Sequence, residues 1–216
     1  MKRKIEKYGE FFQQPHEKSF ELLEGYGRVI VSAPHSVEQT REGKTKFAEP
    51  QTGILARLLH DELNCPVIYK TKNCNDDANF DGISPYKDAL SAYIQKADVR
   101  FLIDLHQLSS AREVSVNFGT ANFRNIENSD LFNIVLGEFA IQNLGLIQID
   151  VPFDASNPNT VSSYVHNKNK IPCIQIEINS KLLYGKLANE YFEKTYFALR
   201  NSVEKLNDYL EKHYEK

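Results

Sequence analysis

Two histidines close apolar runs in this sequence. VIVSAPHSVE places His35 directly after one run, and FLIDLH ends another on His106. A third run, CIQIEIN, carries Glu177 between Ile176 and Ile178. Imidazole nitrogen and carboxylate oxygen are the ligands of a catalytic zinc, which takes three protein groups and keeps one position open. A carboxylate inside an apolar strand is costly without a charge or metal nearby, so Glu177 reads as functional. Two glutamates compete for the third ligand position. Glu38 makes an H-x-x-E spacing with His35, but its stretch, VEQTREGKTK, is charged and reads as a mobile solvated loop. Glu49 precedes Pro50 and a run in which Ile54, Leu55, Leu58 and Leu59 recur at helical spacing. Proline in a first helical turn and a carboxylate at a helix's positive end are both favoured, which makes Glu49 the preferred ligand and Glu38 the reserve. Asp104, two residues before His106, either holds that imidazole from behind or satisfies local backbone.

Other chemistries lack their signatures. There is no G-x-S-x-G elbow, no P-loop and no G-x-G-x-x-G cradle. Cys65, Cys74 and Cys173 are odd in number, match no zinc cluster or redox pair, and read as free thiols. With 26 basic and 29 acidic residues, the net charge of -3 gives no field to attract polyanions, which argues against nucleic acid as a partner. No apolar run approaches the roughly 18 residues of a membrane span. The basic start, MKRKIEK, leads into Tyr8, Gly9 and Glu10 rather than a signal-peptide segment. The expectation is a soluble, cytoplasmic protein without a membrane partner.

The elements that must position these residues are short and alternate in kind. Strands are expected over Arg28–Ser32, Pro66–Lys70, Phe101–Leu105, Val114–Phe118, Leu146–Ile149 and Cys173–Ile178. Helical spacing marks Thr52–Leu63, Tyr86–Ile94, Ser129–Gln142 and Thr160–His166, and a long amphipathic helix is expected from Leu187 to Leu210. No repeat or linker interrupts the chain, so residues 1–216 read as a single domain of α/β class. Near-continuous apolar strands such as FLIDL and CIQIEI fit the interior of a three-layer α/β/α arrangement with a mostly parallel or mixed central sheet. Ligands gather beyond the carboxyl ends of such strands, where His35, His106 and Glu177 would converge.

PHS around His35, DLH ending at His106 and QIEIN around Glu177, with Tyr184 following, together resemble the N-formylglutamate amidohydrolase family. That family is similar in fold to zinc carboxypeptidases and phage poly-γ-glutamate hydrolases, and the correspondence runs from about Arg28 to Tyr184. The resemblance implies a catalytic domain in which His35, Glu49 and His106 hold Zn2+ and Glu177 is the general base. E-P-x-T at Glu49 also looks like the metal glutamate and helix start of the poly-γ-glutamate hydrolases. It further implies hydrolysis of an amide bond in a small acidic N-acyl amino acid or peptide. Two positions depart from the pattern: Val37 replaces the usual glycine after PHS, and Phe80 stands where a D-x-N-R segment carries arginine. Arg112, after DLHQLSSA, and Arg124, in GTANFRN, are the candidates to bind an acidic group or stabilise the transition state. Asn122 and Arg124 resemble the pair that carboxypeptidases use for carboxylates. The two departures also allow an inactive metal- or ligand-binding protein on the same scaffold.

Overall fold

The apolar runs form one sheet because their β-branched and aromatic residues must be covered on both faces. The computed structural model describes residues 1–184 and 188–214. In chain order its elements are α1 (Lys2–Gln13), β1 (Phe20–Leu23), β2 (Val29–Ala33), β3 (Gln39–Arg41), β4 (Lys44–Lys46), α2 (Pro50–Leu63), β5 (Val67–Lys70) and α3 (Pro85–Lys96). There follow β6 (Phe101–Leu108), β7 (Val116–Gly119), α4 (Ser129–Ile141), β8 (Ile147–Ile149), α5 (Val161–Asn169), β9 (Cys173–Asn179), α6 (Ser180–Leu183) and α7 (Ala188–Tyr214). Seven strands make a mixed sheet in the order β1-β5-β2-β6-β9-β7-β8. The pairs β1–β5 and β7–β9 are antiparallel and the others parallel.

Strand periodicity sorts side chains between two helical layers. On one face Val29, Val31, Phe101, Ile103, Leu105, Ile174, Ile176 and Ile178 pack against helices that include α2, α4 and α7. The opposite face carries Ile30, Leu102 and Cys173 under α3 and α5. That second face is apolar only in its amino-terminal half. Further along, the same parity delivers Ser32 from β2, Asp104 and His106 from β6, and Gln175 and Glu177 from β9. The register makes His106 the cross-strand partner of Glu177 and Asp104 that of Gln175. One alternating pattern therefore builds both a core layer and a polar crevice at the carboxyl ends of the strands.

Helices α1 and α6 and strands β1, β3 and β4 lie outside the sequence expectations. Helix α1 docks through buried Tyr8 and Phe12, with the Arg57 guanidinium 4.3 Å from the ring centroids of both Tyr8 and Phe11. Strand β1 closes one sheet edge. The charged stretch expected as a mobile loop is instead the hairpin β3–β4, turning on Glu42 and Gly43, both at positive φ. That backbone suits a two-residue hairpin loop, whose twist matches the flanking strands. Within the expected carboxyl-terminal helix, Tyr196, Leu199, Val203, Leu206 and Leu210 are buried, whereas Leu187 lies outside the described residues. Cys65 and Cys173 are buried free thiols and Cys74 is an exposed one. No described helix is long and apolar enough to cross a membrane.

Candidate metal centre and its cavity

His35 sits in the turn directly after β2, and its carbonyl accepts from the Glu49 amide at 2.8 Å. This bond ties the start of α2 to the end of β2 across the intervening hairpin. Glu49 is the residue before the helix, with Pro50 opening it, yet its side chain makes no capping bond. The carboxylate turns toward the histidines instead: Oε1 lies 3.1 Å from His35 Nδ1, and Oε2 accepts from the Gln107 amide at 2.9 Å. His106 Nδ1 is 3.2 Å from His35 Nδ1 and 3.7 Å from Glu49 Oε2. One donor atom from each of His35, Glu49 and His106 lies within 4.8 Å of the other two.

The far side of each ring fixes its protonation. His35 Nε2 is 2.9 Å from Asp77 Oδ1, and His106 Nε2 is 3.1 Å from Asp104 Oδ2; both aspartates are fully buried. A carboxylate beside Nε2 holds the proton there, so the Nδ1 lone pairs of both rings turn toward Glu49. Three electron-rich atoms facing one another repel unless a positive charge sits among them. Burial pushes His35 toward neutrality, but Glu49 and Asp77 overcome it and raise its pKa to about 10. His106 is likewise raised against burial, chiefly by Asp104. A tetrahedral site with bonds of 2.0–2.1 Å to nitrogen separates its donors by roughly 3.3 Å. The spacings of 3.1 and 3.2 Å about His35 Nδ1 fit that demand, and the 3.7 Å from His106 Nδ1 runs to the other Glu49 oxygen. Asp77→Asn and Asp104→Asn are each expected to weaken metal affinity about 10–100-fold, read by competition with a chelator.

These donors line a cavity of about 420 Å3, within the range for small-molecule sites. Glu177 lines it too, and accepts from Gln175 Nε2 at 3.1 Å. Burial raises the Glu177 carboxyl to about 7, with Glu49 and Asp104 adding to the shift and the two histidines opposing it. The wall opposite is the 150–160 loop, which lies close on β7: a Cβ on Gly119 would stand 3.0 Å from Ala155 Cβ and 3.2 Å from Phe153 O. Lys87, fully buried, pins this wall to the 71–84 loop by donating to Asn159 O at 2.7 Å and Asp81 O at 2.6 Å.

The structure thus brings His35, Glu49, His106 and Glu177 to one cavity. Glu38 is exposed and stands apart from this cluster. Neither Arg112 nor Arg124 lines the cavity. Arg112 is exposed, with its guanidinium 5.0 Å from the ring centroid of Phe153, a lining residue; Arg124, also exposed, donates from Nε to Ala121 O at 2.9 Å. Among the lining and supporting residues, Asp77, Arg41, Gln175 and Lys87 have no role assigned from the sequence. Asp77 has a signal, an acidic residue in the loop after β5, the strand that neighbours β2. Arg41 was hidden by the charged composition of its hairpin, although Glu42-Gly43 between two alternating triplets is a turn signal.

Comparison with protein-family models and with curated proteins finds no match to this chain. Solved structures do match it. N-formylglutamate amidohydrolase from Ralstonia eutropha JMP134 superposes with a TM-score of 0.61 at 11% identity, over 90% of this chain and 98% of that one. A bacteriophage poly-γ-glutamate hydrolase matches with a TM-score of 0.54 at 12% identity, over 89% of this chain and 92% of its own. A metallo-carboxypeptidase from Burkholderia cenocepacia gives 0.56 at 11%, over 94% of this chain and 68% of the other. The fold is carboxypeptidase-like. N-formylglutamate amidohydrolase stands among its structural neighbours over most of the chain, as the resemblance implied; at these identities the likeness is one of fold.

Proposed function

We propose that residues 1–216 form one catalytic domain, a zinc-dependent hydrolase of an amide bond in a small acidic N-acyl amino acid or peptide. The observation that carries this reading is the convergence of three lone-pair donors, each histidine backed by a buried carboxylate, in a cavity that also holds Glu177. His35, Glu49 and His106 would hold the ion. Bound there, a divalent cation supplies Lewis acidity, polarising a carbonyl oxygen and making water acidic enough to attack near neutral pH.

The chain's own residues supply the proton transfers and the positioning. Glu177, as a carboxylate, takes a proton from the attacking water and returns it to the leaving nitrogen, so one side chain serves as base and then acid. Gln175 fixes the rotamer of Glu177 by donating to Oε1. Asp77 and Asp104 keep both imidazoles from swinging out of the cluster. The carboxyl-terminal halves of β6 and β9 carry His106 and Glu177 in adjacent register, so their separation is set by the sheet rather than by a loop.

The test is hydrolysis of a panel of N-acyl amino acids and γ-glutamyl peptides before and after chelation. Exhaustive metal removal is expected to abolish turnover and zinc to restore it. Full activity in metal-free protein would overturn the reading, and tight metal uptake without hydrolysis of any panel member would favour a binding protein on the same scaffold.

A further inference from the structure

The cavity lining contains a single permanently cationic side chain among the described residues, Arg41. It comes from β3, on the hairpin between the two ligand-bearing segments of His35 and Glu49. Its guanidinium lies 4.8 Å from the ring centroid of Phe80, another lining residue. Guanidinium carries five N–H donors in a planar fork, each edge of which presents two parallel N–H bonds. Arg41 uses one edge on Asp77: Nε donates to Oδ2 at 2.9 Å, and Nη2 lies 2.8 Å from the same oxygen. The other edge, formed by Nη1 and the second Nη2 hydrogen, has no hydrogen-bond partner among the described residues. A third of the side chain's surface is exposed, and the side chain lines the cavity.

An unpaired fork above an aromatic ring is suited to a planar anion. The other ionisable groups lining the cavity are Glu49, Asp154, Glu177 and the two histidines. Glu49 faces the histidines, and Asp154 Oδ1 accepts from the Ser156 amide at 3.0 Å. The carboxylates would repel an anionic ligand everywhere except near Arg41 and a bound ion. Asp77 holds Arg41 on one oxygen and His35 on the other, so one carboxylate and one imidazole separate the open fork from the metal donors. A ligand reaching both must carry its anion several bonds from the group at the metal.

We propose that Arg41 receives a carboxylate of the substrate on its open edge, with Phe80 as the platform that orients the guanidinium. This rests on the hydrolase reading and specifies the substrate: an amide bearing a carboxylate some atoms away from the bond that is cut. Arg41 takes the part that the sequence alone assigns to Arg112 or Arg124.

The test compares glutarate with its half-amide, glutaramate, by calorimetry. The two probes have nearly the same shape and share one carboxylate, so their ratio isolates the second charge. Wild-type, zinc-loaded protein should prefer glutarate by about tenfold or more, the scale of one charge-assisted hydrogen bond. Arg41→Gln should bring the ratio close to one, and Arg112→Gln and Arg124→Gln should leave it unchanged. A ratio within one sample does not move with the fraction of protein loaded with metal. A wild-type protein indifferent to the swap, or a preference that survives in Arg41→Gln, would overturn the proposal, and the first outcome needs no variant to fold. Elemental analysis keeps the two readings apart. Metal uptake without an Arg41-dependent preference removes the role of Arg41 alone, whereas the preference in a protein that takes up no metal removes the hydrolase reading and leaves Arg41 as a carboxylate site.

Discussion

Glu177→Gln is expected to lower turnover about 10²–10⁴-fold, the range for a lost general base, while metal content stays at the wild-type level. The substitution keeps the shape of the side chain and an oxygen that can still accept from Gln175 Nε2. What it removes is a proton acceptor and a negative charge. Glu177 lies outside the three-donor cluster of His35, Glu49 and His106, so metal occupancy should not follow it. Steady-state kinetics paired with elemental analysis checks both halves; parallel loss of metal would make Glu177 a ligand. The pH profile carries an independent sign. Burial raises this carboxyl to about 7, and it works as the anion, so kcat/KM should rise with pH through its titration. A cation seated among the donors favours the anionic form and draws that limb to the acid side of 7. In Glu177→Gln the limb should disappear.

The sequence made the centre legible because each of its parts obeys a local rule. Apolar runs of strand length gave β2, β5, β6 and β9, and the rule that ligands collect at carboxyl ends of strands placed His35, His106 and Glu177 on one edge. Pro50 signalled the helix start that holds Glu49. Contacts between segments distant in the chain were harder to read. Asp77 reaches His35 only because β5 is hydrogen-bonded next to β2, a neighbour relation that composition does not encode. Arg41 depends on a hairpin whose charged residues look like solvent-facing loop, and whose packing is decided by Phe80 and Asp77 from another segment. Arg112 and Arg124 follow strands as an anion-binding residue should, but the turns after β6 and β7 leave both outside the lining. The α1 helix was obscured by its lysines, since only Tyr8 and Phe12 in it are buried.

Glu49→Ala is expected to cost metal affinity more than the 10–100-fold range of an outer-sphere carboxylate, and Glu38→Ala to cost none. Three effects act together at Glu49. Its removal takes away one of three converging donors, deletes the negative charge that faces both Nδ1 atoms, and leaves the Gln107 amide without its acceptor. Glu49→Gln separates these contributions in part. The carboxamide keeps one oxygen where the carboxylate uses two, one toward His35 and one on the Gln107 amide, and the charge is gone; affinity between wild type and Glu49→Ala would assign the retained part to that oxygen and the lost part to the charge and the second oxygen together. The position of Glu49 at the start of α2, with its own amide bonded to the His35 carbonyl, is fixed by backbone contacts that all three side chains leave in place. Competition titration against a chromogenic chelator reads the series directly. Normal zinc retention by Glu49→Ala, or loss of zinc in Glu38→Ala, would move the third ligand to Glu38, which the hairpin would then have to carry inward from its exposed position beside His35.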